Sequence, residues 1–213
     1  LAGKSDIMVC ESCEFVDTFL KLYPDIAVIL NIDADHLDYF KTLENIIKSF
    51  RKFSEMATKA LIINGDDENT LKAVDGISGK DIISFGLNSK NDYYACDIQR
   101  ISGMETEFTV FSRGDKLGKI RLHVAGMHNV LNALAAVAAS DYVKVPFEKI
   151  HQGLSDFRGA GRRFELIGKE HGITIVDDYA HHPKELEVTL KAAMDMGYKN
   201  VWAVFQPFTF SRT

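Results

Sequence analysis

The stretch "IAVILNIDADHLDYFKTLENIIKSFRKFSEMATKALIING", residues 26–65, decides the fold. It opens on an apolar run, Ile26 to Leu30, that carries on to Ile32 and reads as a buried strand. Over 42–57 the residues Leu43, Ile46, Ile47, Phe50 and Phe53 fall at helical spacing, behind Thr42 as a suitable N-cap. A second apolar run follows at 59–65. Strand, helix and strand in that order predict neighbouring parallel strands with a helix laid across them.

The pattern extends in both directions. Residues 6–10 read as a further short strand, and after the turn "GDDEN" come a short helix, "NTLKAV", and a strand, "DIISFG". From 92 to 125 three alternating segments run on without an intervening helix, which predicts a small antiparallel patch appended to the parallel sheet. Residues 127–143 form an Ala-rich helix just after Gly126, and Pro146 opens another. The Gly- and Arg-rich connector at 158–165 marks the expected boundary between a unit at 1–157 and a second at 158–213. Beyond it the sequence predicts two strands joined by a turn, a helix with Pro183 early and Gly197 late, and a strand at "NVWAVFQP". That is the start of a second, Rossmann-like α/β unit.

Composition narrows the function. With 46% hydrophobic residues among 213, a sizeable core is expected and disorder is not. A net charge of −5 argues against a nucleic-acid surface. No apolar run approaches the ~20 residues of a membrane span, so no membrane insertion is expected. Three cysteines do not make a disulfide framework, and a cytoplasmic location is expected. The opening "LAGKSDIMVC" has no leader-like apolar run and no initial Met, so the chain reads as a piece of a longer protein.

The chemistry concentrates where strands end. Asp33, Asp35, His36 and Asp38 arrive within six positions of the first strand's end, and Glu11 and Glu14 follow the 6–10 run. Ligands of open parallel sheets sit beyond the carboxyl ends of the strands. If the two strands are neighbours, Glu11 and His36 converge on one divalent cation such as Mg²⁺, with phosphate oxygens completing its shell. The plainer reading is a set of solvated turn residues capping a helix. "CESC" (10–13) invites a zinc or dithiol reading, but no second pair exists and Cys10 falls in the expected strand, so buried thiols are the simpler account. "AGKS" (2–5) is not the tail of a phosphate loop, because a strand rather than a helix follows it.

Further along, His128 and Asn129 stand at a helix start, with Asn132 one turn on. Amide side chains on one face can pair with the edge of a base, or serve as a cap and an exposed Asn. Arg162 and Arg163 suit phosphate oxygens or a hinge surface. Asp177, Asp178, His181 and His182 gather after a strand, where core packing does not account for them and a site does.

Taken together, "ESCEFVDTFL", "IAVILNIDADHLDYF", "GMHNVLNALAA", "GRRFE", "VDDYAHHP" and "FQPFTFSRT" resemble the Mur ligase family, in the family's order and over essentially the whole chain. "DDYAHHP" and the "FQP…SRT" ending are most similar to the alanine-adding branch. The resemblance implies the central ATP-binding domain without its upstream phosphate loop, then the first part of the amino-acid-binding domain. It implies ATP and Mg²⁺ as cofactors, and UDP-N-acetylmuramate and L-alanine as substrates. The implied reaction forms an acyl phosphate and ADP, after which the alanine amine displaces phosphate. By motif, Glu11 and His36 match the Mg²⁺ ligands, with Glu14 as a neighbour. His128, Asn129 and Asn132 match the adenine site, and Arg163 matches the Arg that reaches the phosphates. Asp178, Tyr179 and His181 match nucleotide contacts, while His182 and Arg212 would face alanine. Arg163, Asp178 and His182 form the implied catalytic set. Phe208 departs from the His usual after "FQP", and neither Lys48 nor Lys52 is assigned to the carbamylated Lys of some relatives. Another amino-acid ligase of this fold, or a noncatalytic nucleotide-binding module, is the competing reading.

Overall fold

The computed structural model describes residues 3–206. Its main body is a six-stranded sheet in chain order: β1 (Ile26–Ile29), β2 (Ala60–Asn64), β3 (Asp81–Gly86), β4 (Tyr93–Ser102), β5 (Glu105–Ser112) and β6 (Asp115–Leu122). The pairs β1–β2, β2–β3 and β3–β4 are parallel, whereas β4–β5 and β5–β6 are antiparallel. The expected parallel sheet with an antiparallel patch is therefore present. β3 and β4 share only the pairs Phe85↔Tyr93 and Gly86↔Tyr94, so β4 parts from β3 almost where it joins and continues along β5.

Both faces of the sheet are covered, which is why β2 is buried at every position. Ile62 faces a core formed with α4 (Met127–Tyr142) and α5 (Phe147–Asp156), where Phe108, Val110, Ile120, Val130 and Leu134 are fully enclosed. Leu61 and Ile63 face the other way, onto Phe19 and onto Phe53 of α2 (Leu43–Met56). The short α3 (Glu68–Val74) closes the same side through Val74.

Local chemistry fixes the ends of α2. The Thr42 hydroxyl accepts from the Asn45 N–H at 3.3 Å, as its sequence position predicts. At the far end, Lys80 Nζ donates to the carbonyls of Ser54 (2.9 Å), Glu55 (2.8 Å) and Ala57, which a helix terminus otherwise leaves open.

After α5 the chain forms an antiparallel hairpin, β7 (Glu165–Glu170) and β8 (Ile173–Asp177), followed by α6 (Pro183–Asp195). A small cluster joins this part to the main body: Ala125 packs with Phe164 and Ala192, flanked by Met104 and Val176.

Two expected strands are absent among the described residues. Residues 6–10 have no ladder partner, and Met8 and Val9 are 86% and 91% exposed. Residues 201–206 are likewise unpaired, with Trp202 90% exposed. An apolar run favours a pleated, half-buried surface but does not supply the neighbouring strand that makes one. The first strand also ends early, at Ile29, for a reason taken up below.

Truncating Phe108, which is fully buried between the sheet and α4, should remove about 3–5 kcal/mol of stability. Urea unfolding of Phe108→Ala beside the parent measures this.

Candidate functional site

β1 stops pairing at Ile29↔Ile63, yet the chain does not wander. Side chains from the end of β2 and the start of α3 take over the backbone groups that leave the ladder. Asn64 Nδ2 donates to the Leu30 carbonyl (3.0 Å), Asn69 Nδ2 to the Ile32 carbonyl (2.9 Å), and the Ile32 N–H donates to Asp67 Oδ1 (3.3 Å). Asp67 also caps α3 through the Thr70 N–H (2.7 Å). Ile32 itself is 2% exposed, packed on Ile29, Phe40, Ile46 and Ala73. The acidic loop therefore departs from a fixed point.

The loop then folds on itself. The Ala34 N–H donates to Asp33 Oδ1 (2.7 Å) and the His36 N–H to Asp35 Oδ1 (2.6 Å). His36 adopts a left-handed backbone (φ 53°) as the cap of α1 (Leu37–Phe40), with its ring tilted against Phe15 at 4.6 Å. His36 Nε2 lies 3.6 Å from Glu14 Oε1 and 3.7 Å from Asp35 Oδ2. One donor atom from each of Glu14, Asp35 and His36 falls within 4.8 Å of the other two. Two carboxylates and one imidazole, partly buried, are a donor set that fits a divalent cation keeping several waters.

Of the pair expected from the sequence, His36 belongs to this cluster and Glu11 does not. Glu11 is exposed in the unpaired segment, so the strand end that was to carry it does not exist. Glu14 stands in the cluster instead, because the chain turns into the short 3₁₀ segment Phe15–Lys21 immediately after it. Asp35, which the sequence left open between a site and a solvated turn, is the third member.

Beside the cluster runs a cleft of about 410 Å³ at the carboxyl ends of β1 and β2. Asn31 and Asp33 line one side, His128 and Asn132 of α4 another, and Lys184 and Val188 of α6 a third. His128 and Asn132 thus share one space, whereas the sequence placed Asn129 and Asn132 on one face. Asn129 is beside it but occupied: its Nδ2 donates to the Ala125 carbonyl (2.6 Å) and its Oδ1 accepts from Asn132 (3.4 Å). His128 packs on Gly126, where a Cβ would lie 2.4 Å from its ring, and Gly126 has φ 95°. Burial holds the His128 imidazole below its ordinary pKa, against the pull of Asp178, and its buried Nδ1 has no hydrogen-bond partner among the described residues.

The remaining expected residues form a network around the start of α6. Asp178 accepts from the N–H groups of Phe164 (2.8 Å) and Ala180 (2.7 Å) and from the Thr189 hydroxyl (3.2 Å). The Tyr179 N–H donates to the Arg162 carbonyl (2.8 Å), and the Arg162 guanidinium lies 4.7 Å over the Tyr179 ring. Arg163 pairs with Glu185 (3.3 Å), which also lies 3.7 Å from His181 Nδ1. Glu185 completes a capping box with His182. His182 Nδ1 accepts from the Lys184 N–H (3.3 Å), which leaves the hydrogen on Nε2, 3.3 Å from the Ala34 carbonyl in the acidic loop. His182 therefore ties α6 to the cluster's own loop. Arg212 and Phe208 lie outside the described residues. Lys184 went unnoticed in the sequence, where a Lys in a first helical turn carries no signal of its own.

Burial alone would raise the Glu185 pKa, but the N–H groups of His181 and His182 and the Arg163 guanidinium outweigh it and hold the carboxyl below its usual range. The stability this contributes is present above the unfolded pKa of about 4.3 and is lost as pH falls through the lower folded value. Glu185→Ala should cost about 1 kcal/mol at neutral pH, as loss of a helix cap does. Unfolding curves taken across pH 3–7 should also show a smaller acid-dependent fall in the variant.

Comparison with known proteins agrees with this architecture. Residues 2–140 match the Mur ligase middle domain, and residues 162–212 match the Mur ligase glutamate ligase domain. The UDP-N-acetylmuramate–L-alanine ligase of Caldanaerobacter subterraneus subsp. tengcongensis is 45% identical over 213 residues, covering 99% of this chain and 46% of that protein. The chain thus spans about half the length of the curated relatives it matches. Among solved structures, the UDP-N-acetylmuramate–alanine ligase of Thermotoga maritima superposes with a TM-score of 0.71 at 30% identity, over 84% of this chain and 40% of that one. MurF of Acinetobacter baumannii superposes with 0.74 at 27% identity, over 84% and 39%. Among the described residues no helix is long and apolar enough to cross a membrane.

Proposed function

The chain belongs to the Mur ligase family, and from that premise we propose that it is part of a cytoplasmic ATP-dependent ligase joining L-alanine to UDP-N-acetylmuramate. Residues 1–157 form the central nucleotide unit in this reading, and 158–213 begin the amino-acid unit. The observation that carries it is the placement of the Glu14–Asp35–His36 cluster beside a cleft walled by α4 and α6. The branch rests on sequence: relatives named for alanine addition are 39–45% identical over nearly the whole chain.

The chemistry asks for alignment and charge neutralisation rather than a nucleophilic side chain. The lactyl carboxylate attacks the γ-phosphorus of ATP, forming the acyl phosphate as the bond to ADP breaks. The alanine amine then attacks the acyl carbon, phosphate leaves, and the amine loses a proton. Glu14, Asp35 and His36 would hold Mg²⁺, whose charge offsets the repulsion between the two anionic reactants. His128 and Asn132 offer hydrogen-bonding groups to a base in the cleft, and Asn129 holds Asn132 in place. Lys184 brings a cation to the same cleft, and Arg163 lies one ion pair away at Glu185. His182 and Asp178 set the position of α6, so closure over the cleft would exclude water from the acyl phosphate.

In the full-length protein, Glu14→Ala and His36→Ala should each lower ATP-dependent alanine ligation on the order of 100-fold or more. A coupled ADP-release assay with UDP-N-acetylmuramate and a panel of amino acids measures both the loss and the substrate choice. Ligation near the parental rate in both variants, or a preference for an amino acid other than alanine, would refute the assignment.

A further inference from the structure

Glu14 and His36 each open a tight turn. The Asp17 N–H donates to the Glu14 carbonyl at 2.9 Å, and the Tyr39 N–H donates to the His36 carbonyl at 2.9 Å. The residues that close the two turns are themselves joined: the Tyr39 hydroxyl donates to Asp17 Oδ2 at 2.8 Å. The other Asp17 oxygen accepts from the hydroxyl of Ser49, a buried residue of α2. Between the turns sits the Phe15 ring, 4.6 Å from the His36 ring and 6.4 Å from that of Tyr39. Each ligand-bearing turn is thus bonded to the other three residues downstream of its ligand, and one of them is pinned to a core helix.

Backbone strain marks the same place. Val16 (φ 54°), Asp17 (φ 57°) and His36 (φ 53°) are all left-handed without being glycine. For a β-branched residue such as Val16 this conformation is a true outlier, held only where the surroundings over-determine it. The bonds made by Asp17 are what hold it. The Asp17 carboxylate also pushes the Tyr39 hydroxyl above its usual pKa, so it stays a donor.

We propose that Asp17 and Tyr39 are positioning residues whose hydrogen bond sets the separation of Glu14 from His36, and with it the cluster's affinity for a divalent cation. This rests on the reading of that cluster as a cation site. Asp17 is not among the cluster's donors. Asp17 and Tyr39 act through the two turns, as groups behind metal ligands commonly do.

The test is titration of the full-length protein with Mn²⁺ alone, following free Mn²⁺ by electron paramagnetic resonance, with thermal unfolding measured alongside. The relevant binding is the fraction that Glu14→Gln removes. Tyr39→Phe keeps the ring and its packing, and should weaken that binding about tenfold with the unfolding temperature essentially unchanged. Asp17→Ala should weaken it at least as much, and the double variant no further than Asp17→Ala alone, because one bond is lost in both. Parental Mn²⁺ affinity in Tyr39→Phe, with Glu14→Gln defective, overturns the positioning role and leaves the cation site standing. Absence of any Glu14-dependent Mn²⁺ binding in the parent overturns the cation reading and the positioning role with it.

Discussion

The position of Ile32 governs the carboxyl edge of this sheet. A strand that leaves its ladder must find new partners for its backbone groups, or leave them unpaired against a core. Here Asn64, Asp67 and Asn69 supply those partners from the neighbouring strand's exit. Burial of the Ile32 side chain adds a second, nondirectional restraint. The acidic loop that follows starts from that anchor and is held further along by His182 at the Ala34 carbonyl and by the Tyr39–Asp17 bond.

The same logic of borrowed order recurs at α6. Its first turn is built by Glu185 and His182, and the His182 ring spends its second nitrogen on the carbonyl of Ala34. Asp178 gathers three donors from the connector, the loop and the helix body. Residues with titratable side chains here serve first as geometry. The fold alone does not separate branches of the family, since ligases named for alanine and for D-alanyl-D-alanine superpose about equally well. Distinctions between them must reside in side chains such as these.

Much of the architecture was legible in the sequence because local rules and tertiary packing agree there. The spacing of Ile46, Phe50 and Phe53 behind Thr42 gives α2, and the unbroken apolar run of β2 reflects a strand covered on both faces. The reading failed where a pattern needed a distant partner. Residues 6–10 have strand composition but no neighbouring strand, so Glu11 stays exposed and Glu14, not Glu11, falls beside His36. Asp67 was visible as part of a turn, yet its hold on Ile32 across 35 positions leaves no local trace. The stretch around His128, Asn129 and Asn132 stood out because two amides one helical turn apart share a face, whereas Lys184 reaches the same cleft from another element.

Gly126 carries a consequence beyond its turn. Because no Cβ stands there, the His128 ring lies close against the chain at the root of α4, a helix whose inner face is sealed into the main core. The opposite side of the cleft rests on a much smaller apolar contact, Ala125 with Phe164 and Ala192. The cavity thus has one stiff jaw and one compliant jaw. A guest finds half of its contour prefabricated, and whatever adaptation it demands is delegated to the half that holds Lys184.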